Sequence, residues 1–301
     1  MEEEKIIEYV KSKIRIKNRD VLVGPGDDTA VLKYDSRRYL LLTTDTIVEN
    51  IHFRRNEATL FQIGKKAMAV NLSDIAAMGG IPLYALVSVG LPEGSQNIIA
   101  PLLRGMEKMA VSYKFDIVGG NLSRAPFLFI DISMAGLVEK KYLKLRSGAG
   151  KGDGIYVTGK LGGSIMGKHL DIKPRIEESR EIISRFPVTS MMDISDGISS
   201  DLTRLAKASG KGFSLSLDKI PLSEEAVRMS GSREEAIGHA LNDGEDYELL
   251  FTVPASSGNK MARRVGKVSV TCIGEITEEK RYLGIYGNKT VEIKPSGFSH
   301  F

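Results

Sequence analysis

Carboxylates recur beside glycines at the ends of apolar runs in this chain, and these are the residues with chemistry to offer. VGPGDDTAVL places Asp27 and Asp28 after a Gly-Pro-Gly turn and before a strand. LLLTTDTIVENIHF ends an apolar strand on Asp45, preceded by Thr43 and Thr44. In the helical segment 59–78, Leu60, Ile63, Ala67, Val70, Asp74 and Met78 recur at spacings of three and four, which puts Asp74 on the apolar stripe. A carboxylate there is expensive unless it is paired, hydrogen-bonded or metal-bound. MMDISDGISSDL crowds Asp193, Ser195 and Asp196 at a strand-to-helix junction. NDGEDYELLF sets Glu245 and Asp246 before an apolar strand, with Glu248 inside it. Each segment alone also reads as a polar turn or a helix N-cap. Together they supply oxygen donors in both halves of the chain. Four histidines and one cysteine form no clustered soft-ligand set, so the donor chemistry points to Mg²⁺ rather than zinc. Mg²⁺ held by a few carboxylates and waters points to a phosphorylated substrate. Strand ends and helix N-termini are where such substrates are held.

The standard nucleotide signatures are missing. No G-x-x-x-x-G-K-[ST] occurs, and GNKT at 287–290 has hairpin spacing. GPGDDT fails G-x-G-x-x-G at its last position, and the protein-kinase motifs are absent. An ATP enzyme built on this chain therefore needs another architecture.

The elements that must position these acids alternate along the chain. A charged helix is expected at 2–12, strands at 29–34 and 39–45, and a helix at 59–78. A strand at 83–91, a helix near 97–113 and strands at 115–119 and 127–138 follow. Residues 139–154 are charged and Gly-rich and read as a junction. The second unit has strands at 155–159, about 189–194, 213–217, 247–253 and 268–276. Its helices are expected near 162–170, 197–209, 223–229 and 233–241, with a closing hairpin around Gly287 and Asn288. The expectation is an α/β protein of the α+β type, with mixed sheets and helices in two domains, 1–138 and 139–301.

Composition sets the outer bounds. The 301 residues are 42% apolar and 27% charged, enough for a packed core without staples. A net charge of +4, without a long basic run or stacking aromatics, gives no reason to expect nucleic acid. Cys272 stands alone, so no intrachain disulfide forms and a reducing, cytoplasmic setting is expected. No run of about 18 apolar residues suggests a membrane span, and MEEEKIIEYVKSK lacks the pattern of a secretory signal.

The ordered set GDDTA (26–30), TTDTIVENIHF (43–53), NLSDIAAMGGIP (71–82), GGN (119–121), LRSGA (145–149), DISDG (193–197), GEDYELLF (244–251) and GFSHF (297–301) resembles the thiamine-monophosphate kinase family. That family lies in the aminoimidazole ribonucleotide synthetase superfamily. Each motif is weak alone, and the order makes the set specific. The resemblance implies an aminoimidazole ribonucleotide synthetase-like fold and transfer of the ATP γ-phosphoryl group to thiamine monophosphate, giving thiamine diphosphate. It implies Asp27, Thr43, Thr44, Asp45, Asp74, Asn121, Asp193 and Asp196 as holders of several Mg²⁺ ions. Gly120, Asn121, Arg146 and Ser195 would face ATP, and Asp45, Arg146, Asp193 and Asp196 would serve catalysis. His52, Glu245, Asp246 and Phe298 would lie near the thiamine substrate. It also implies a homodimer whose N-terminal strands pack across the interface. Asn121 departs from the Asp usual after the paired glycines; it offers an oxygen but no charge. The alternatives are another ATP-using enzyme of the superfamily or a non-catalytic nucleotide-binding protein. Selenophosphate synthetase and the hydrogenase-maturation relative both use a reactive cysteine or selenocysteine near a terminus, where this chain has none.

Overall fold

The computed structural model describes residues 2–258 and 260–298. Of the GFSHF ending, Gly297 and Phe298 are described, and 299–301 lie outside the described residues. In the first half, α1 (Glu2–Lys13) leads to β1 (Val21–Val23), β2 (Ala30–Lys33) and β3 (Arg38–Val48). Then come α2 (Leu60–Ala77), β4 (Ile81–Leu91), α3 (Ile99–Tyr113), β5 (Asp116–Arg124) and β6 (Phe129–Glu139). The second half opens with β7 (Gly154–Thr158), α4 (Ile176–Arg185), β8 (Ser190–Asp193), α5 (Ile198–Ala208) and β9 (Gly212–Ser216). It continues with α6 (Glu224–Met229), α7 (Arg233–Asn242), β10 (Leu249–Val253) and α8 (Ala255–Gly258). The last strands are β11 (Arg264–Val265), β12 (Val268–Thr277), β13 (Tyr282–Tyr286) and β14 (Lys289–Glu292).

The first sheet has the order β1-β2-β3-β6-β4-β5, antiparallel except for the β4–β5 pair. The second runs β14-β13-β9-β12-β7-β10-β8, with β11 paired to β12 and only β9–β13 parallel. Both sheets are mixed, as the alternation of runs and helical patterns predicts.

Between the halves lies α2. Thr59 caps it: its hydroxyl accepts the Gln62 N–H at 3.2 Å, and Gln62 Oε1 accepts the Thr59 N–H at 3.0 Å. The stripe read from sequence is only part of its buried surface, because α3, β3 and β6 pack on one side and α4 and β8 on another. One apolar cluster accordingly joins Ile63, Met68, Leu72 and Ile132 to Ile182, Met191 and Phe251 of the second half. A helix enclosed in this way holds its polar side chains in fixed places.

One sequence expectation is corrected, and one helix lies where none is expected. The helix near 162–170 is instead two short 3₁₀ turns, Ser164–Met166 and Lys168–Leu170. Gly162, Gly163 and Gly167 have φ of 82°, 67° and 129°, and backbone atoms of Ala240 and Ala226 sit where the first two would carry a Cβ. The helix α4 went unread, although Ile176, Ser179, Ile182 and Ile183 form its buried face.

Candidate active site

Three carboxylates from three elements meet where the halves join. Asp28 precedes β2, Asp74 is near the end of α2 and Asp193 ends β8; one oxygen of each lies within 4.8 Å of the others. Each is held from behind. Thr43 on β3 donates its hydroxyl to Asp74. Ser73 on α2 donates to Asp193. Arg146, on the segment between the sheets, donates to Asp28 Oδ1 from Nη2 at 2.7 Å and from Nε at 3.2 Å. Its backbone N–H reaches both oxygens of Asp27 at 3.2 Å. Asp45 bonds to Asp74 and completes the acidic wall.

This arrangement favours protons or cations. Burial, followed by Asp45, Asp193 and Asp28, raises Asp74 well above the ordinary carboxylate range. Burial and Asp28 do the same for Asp193. Asp27 is pushed up to about 7, by burial and then by Asp28. Asp45 rises to about 6, chiefly by burial, with its bond to Asp74 acting the other way. Asp28 Oδ2 is buried and has no hydrogen-bond partner among the described residues. A buried acceptor oxygen without a donor, beside two more carboxylates, is what a hard cation satisfies.

Beside the acids opens a cavity of about 150 Å³ lined by Asp45, Ile47, Ile51, His52, Val70, Ser195, Asp196, Glu245, Tyr247 and Phe298. Its walls come from β3, the loop after it, α2, the turn before α5, the loop before β10 and the C-terminal tail. One part is apolar and the other carboxylate-rich, which suits a ligand with a ring system and a charged end. The Val48 N–H donates to His52 Nδ1 at 3.1 Å, and the His52 and Phe298 rings are 6.2 Å apart. Asp196 is paired with Arg204, which also reaches Asp201 at 2.8 Å; Asp201 accepts the Asp196 N–H at 3.0 Å. Burial, with Asp196 next, pushes Asp201 up to about 7. The tail is strapped to α5: the Ser296 and Gly297 N–H groups donate to Ser199 Oγ and Ser200 Oγ at 3.3 and 3.1 Å.

Of the residues named from sequence, Asp27, Thr43, Asp45, Asp74, Arg146, Asp193, Ser195, Asp196, His52, Glu245 and Phe298 fall in this neighbourhood. Four do not. Strand alternation sends the Thr44 side chain to the other face of the sheet, where its hydroxyl is 3.4 Å from Ser133 Oγ. Asp246 is buried away from the cavity: it accepts the Gly162 N–H at 3.0 and 3.1 Å and pairs with Lys168 at 3.3 Å. Gly120 and Asn121 lie on the edge strand β5, exposed. Gly120 is in register with Asp45 through Val87 and Ile132, three strand spacings away. At ~4.8 Å each, that is about 14 Å within one chain.

Sequence reasoning passed over Asp28 as a ligand in favour of Asp27, and missed Asp201, Arg204, Tyr247 and Lys66. For Lys66 a signal existed: it lies three residues after Ile63 and four before Val70, inside an apolar face.

Comparison with known proteins gives the family of the chain. Residues 26–138 match the model of the AIR synthase related protein N-terminal domain, and 130–286 that of its C-terminal domain. The thiamine-monophosphate kinase of Rhodopirellula baltica is 36% identical over 99% of this chain and 97% of its own length. That of Escherichia coli K12 is 33% identical over 96% and 95%. The solved structure of AaThiL complexed with AMPPCP and TMP superposes with a TM-score of 0.82 at 32% identity, covering 99% of this chain and 95% of that one. With fold, motif order and near-complete coverage in accord, this chain belongs to the thiamine-monophosphate kinase family.

Proposed function

We propose that the chain transfers the γ-phosphoryl group of ATP to thiamine monophosphate, releasing thiamine diphosphate and ADP. The observation that carries this is the juncture itself: a buried three-carboxylate cluster opening onto a half-apolar cavity, in a member of this family. A relative in the same fold was solved with AMPPCP and TMP.

The nucleophile is an oxygen of the acceptor phosphate. A phosphomonoester has a second pKa of about 6, so this oxygen is already deprotonated at neutral pH and needs no strong base. The obstacle is repulsion between two anions brought into line. The all-oxygen donor set and the orphaned Asp28 oxygen fit Mg²⁺, with Asp28, Asp74 and Asp193 as its nearest holders and Asp27, Thr43, Asp45 and Asp196 around them. Bound there, Mg²⁺ supplies charge neutralisation and orientation of phosphate oxygens. The chain's own part is to fix these carboxylates through Thr43, Ser73 and Arg146, and to place the thiamine rings against Ile47, Ile51, Val70, His52 and Phe298. Glu245 and Asp196 face the same cavity and complement the cationic thiazolium.

A homodimer belongs to the same reading. The outer face of the first sheet exposes Leu42, Tyr84, Leu86 and Val118, an apolar surface that a second copy would cover. Gly120 and Asn121, too far from Asp45 to serve it in one chain, would then meet ATP at the partner's site. The division into 1–138 and 139–301 fits the separate sheets, with the connecting segment carrying Arg146 into the site. No described helix is long and apolar enough to cross a membrane. An ATP co-substrate and an exposed free thiol at Cys272 suit the cytoplasm.

The test is incubation of the purified protein with ATP, Mg²⁺ and thiamine monophosphate. Thiamine diphosphate and ADP are expected in equal amounts. ADP and free phosphate without thiamine diphosphate would refute the proposed acceptor.

A further inference from the structure

We infer that Lys66 is the positioning residue of the thiamine pocket, fixing the Glu245 carboxylate against the cavity from the opposite half of the molecule. The inference rests on the proposed reaction and adds a residue that the sequence motifs did not mark.

Lys66 lies on α2 with its side chain fully buried. A lysine ammonium is rarely left in such a place, because desolvation favours its neutral form. Here it has two acceptors. It donates to the His52 carbonyl at 2.7 Å and to Glu245 Oε1. His52 and Glu245 both line the cavity, one from the loop after β3 and the other from the loop before β10. The ammonium therefore fastens two walls of the pocket that share no strand, sheet or helix.

Glu245 needs such a fastening. It has φ of 55°, in the left-handed region that a residue with a Cβ seldom adopts, and Tyr247 follows with φ of 49°. Gly244 before them has φ of 72°. The backbone of this turn is pinned to the second half: the Glu245 and Tyr247 N–H groups donate to the Ser195 and Ile194 carbonyls at 2.6 and 2.8 Å. Those bonds fix the main chain and leave the carboxylate free to rotate about its own torsions. Lys66 removes that freedom. With one oxygen taken by the ammonium, the carboxylate is held at the cavity wall that Glu245 lines. The bond from Lys66 to the His52 carbonyl fixes the ammonium in turn, so the position of Glu245 is set by the loop that carries His52.

The test compares Lys66→Met, Glu245→Gln and the double variant in steady-state kinetics, with melting curves as a control for folding. Lys66→Met is expected to raise KM for thiamine monophosphate by about tenfold or more, while KM for ATP stays within about twofold. In the Glu245→Gln background, Lys66→Met is expected to add nothing to that KM, because the ammonium acts through the carboxylate. The double variant leaves neither buried charge unpaired, so it keeps the comparison available where Lys66→Met alone fails to fold. A Lys66→Met protein whose KM values both stay normal while only the active fraction falls would reduce Lys66 to a fold-stabilising residue and overturn the inference. So would a double variant with KM for thiamine monophosphate far above that of Glu245→Gln. A wild type that forms no thiamine diphosphate removes both the reaction and the inference, whereas an active wild type with an indifferent Lys66 removes only the latter.

Discussion

Replacing Asp74 with Asn should make the metal-free protein more stable and the enzyme inactive. Asp74 shares with Asp28 and Asp193 a space in which one oxygen of each lies within 4.8 Å of the others. At an effective dielectric of about 20, two charges that far apart repel by about 3.5 kcal/mol. Arg146 offsets part of this on Asp28, and nothing comparable reaches Asp74, whose partners are Thr43 and Asp45. The protein escapes the full repulsion by protonating, which is why burial and its acidic neighbours hold Asp74 well above the ordinary range. The amide keeps an oxygen for the Thr43 hydroxyl and offers an N–H to Asp45 in place of the proton. We expect a gain of about 2 kcal/mol in EDTA at pH 7.5, or a rise in Tm of roughly 4 °C for a chain of this size. In wild type, Mg²⁺ should raise Tm through binding to the native state; in the variant that increment should shrink or vanish, and turnover should fall by at least about 100-fold. Thermal melts with and without Mg²⁺, read beside product formation, decide it. An Asp74→Asn protein that melts lower in EDTA, or gains as much from Mg²⁺ as wild type, would refute the reasoning.

The same acids set a pH dependence. Burial first, then neighbouring acids, raise Asp27 and Asp201 from 3.8 to about 7 and Asp45 to about 6. Raised groups bind more protons when folded, so their contribution is complete below pH 3.8 and is lost as pH rises towards 7. In EDTA, Tm should therefore fall between about pH 4 and 7, and saturating Mg²⁺ should flatten that fall. Arg146→Lys keeps the charge but not the fork that reaches Asp28 through Nη2 and Nε at 2.7 and 3.2 Å; kcat should drop by about tenfold or more at unchanged Tm. Leu86→Glu, on the outer sheet face, should give monomers in sedimentation and lose activity with them, since Gly120 and Asn121 would no longer reach a partner's site.

How much of this was legible depends on what each residue must do. Asp45, Asp74 and Asp193 announced themselves because a carboxylate at the end of an apolar strand or on a buried stripe contradicts its surroundings. Asp28 did not, because in a Gly-Pro-Gly-Asp-Asp turn either acid serves equally well until the backbone path is known. The path turns Asp27 to the Arg146 N–H and Asp28 into the cluster. Asp246 misled for a related reason: the motif sets it beside Glu245, but at this strand entrance adjacent side chains turn opposite ways. Glu245 and Tyr247 thereby reach the cavity while Asp246 turns to the Gly162 N–H.

Lys66 and Asn121 mark a different limit. Periodicity shows which residues share a face but not how many faces are buried, and α2 packs against both halves, so its pattern alone does not say what a lysine beside the apolar stripe meets. The partners of Lys66 lie 14 and 179 positions away, beyond the reach of any local pattern. Asn121 sits in a motif that matches by order, yet it is three strands from the acids it was expected to join. The missing charge therefore need not weaken a metal held within its own chain. If Asn121 acts, it acts on the site of a second copy, and the loss of the usual aspartate at that position should show as weaker Mg²⁺·ATP binding by the dimer. Restoring the charge with Asn121→Asp should then tighten Mg²⁺·ATP binding, measured by calorimetry, in the dimer and leave it unchanged in the Leu86→Glu monomer. A shift in the monomer would mean that the strand reaches its own acids after all.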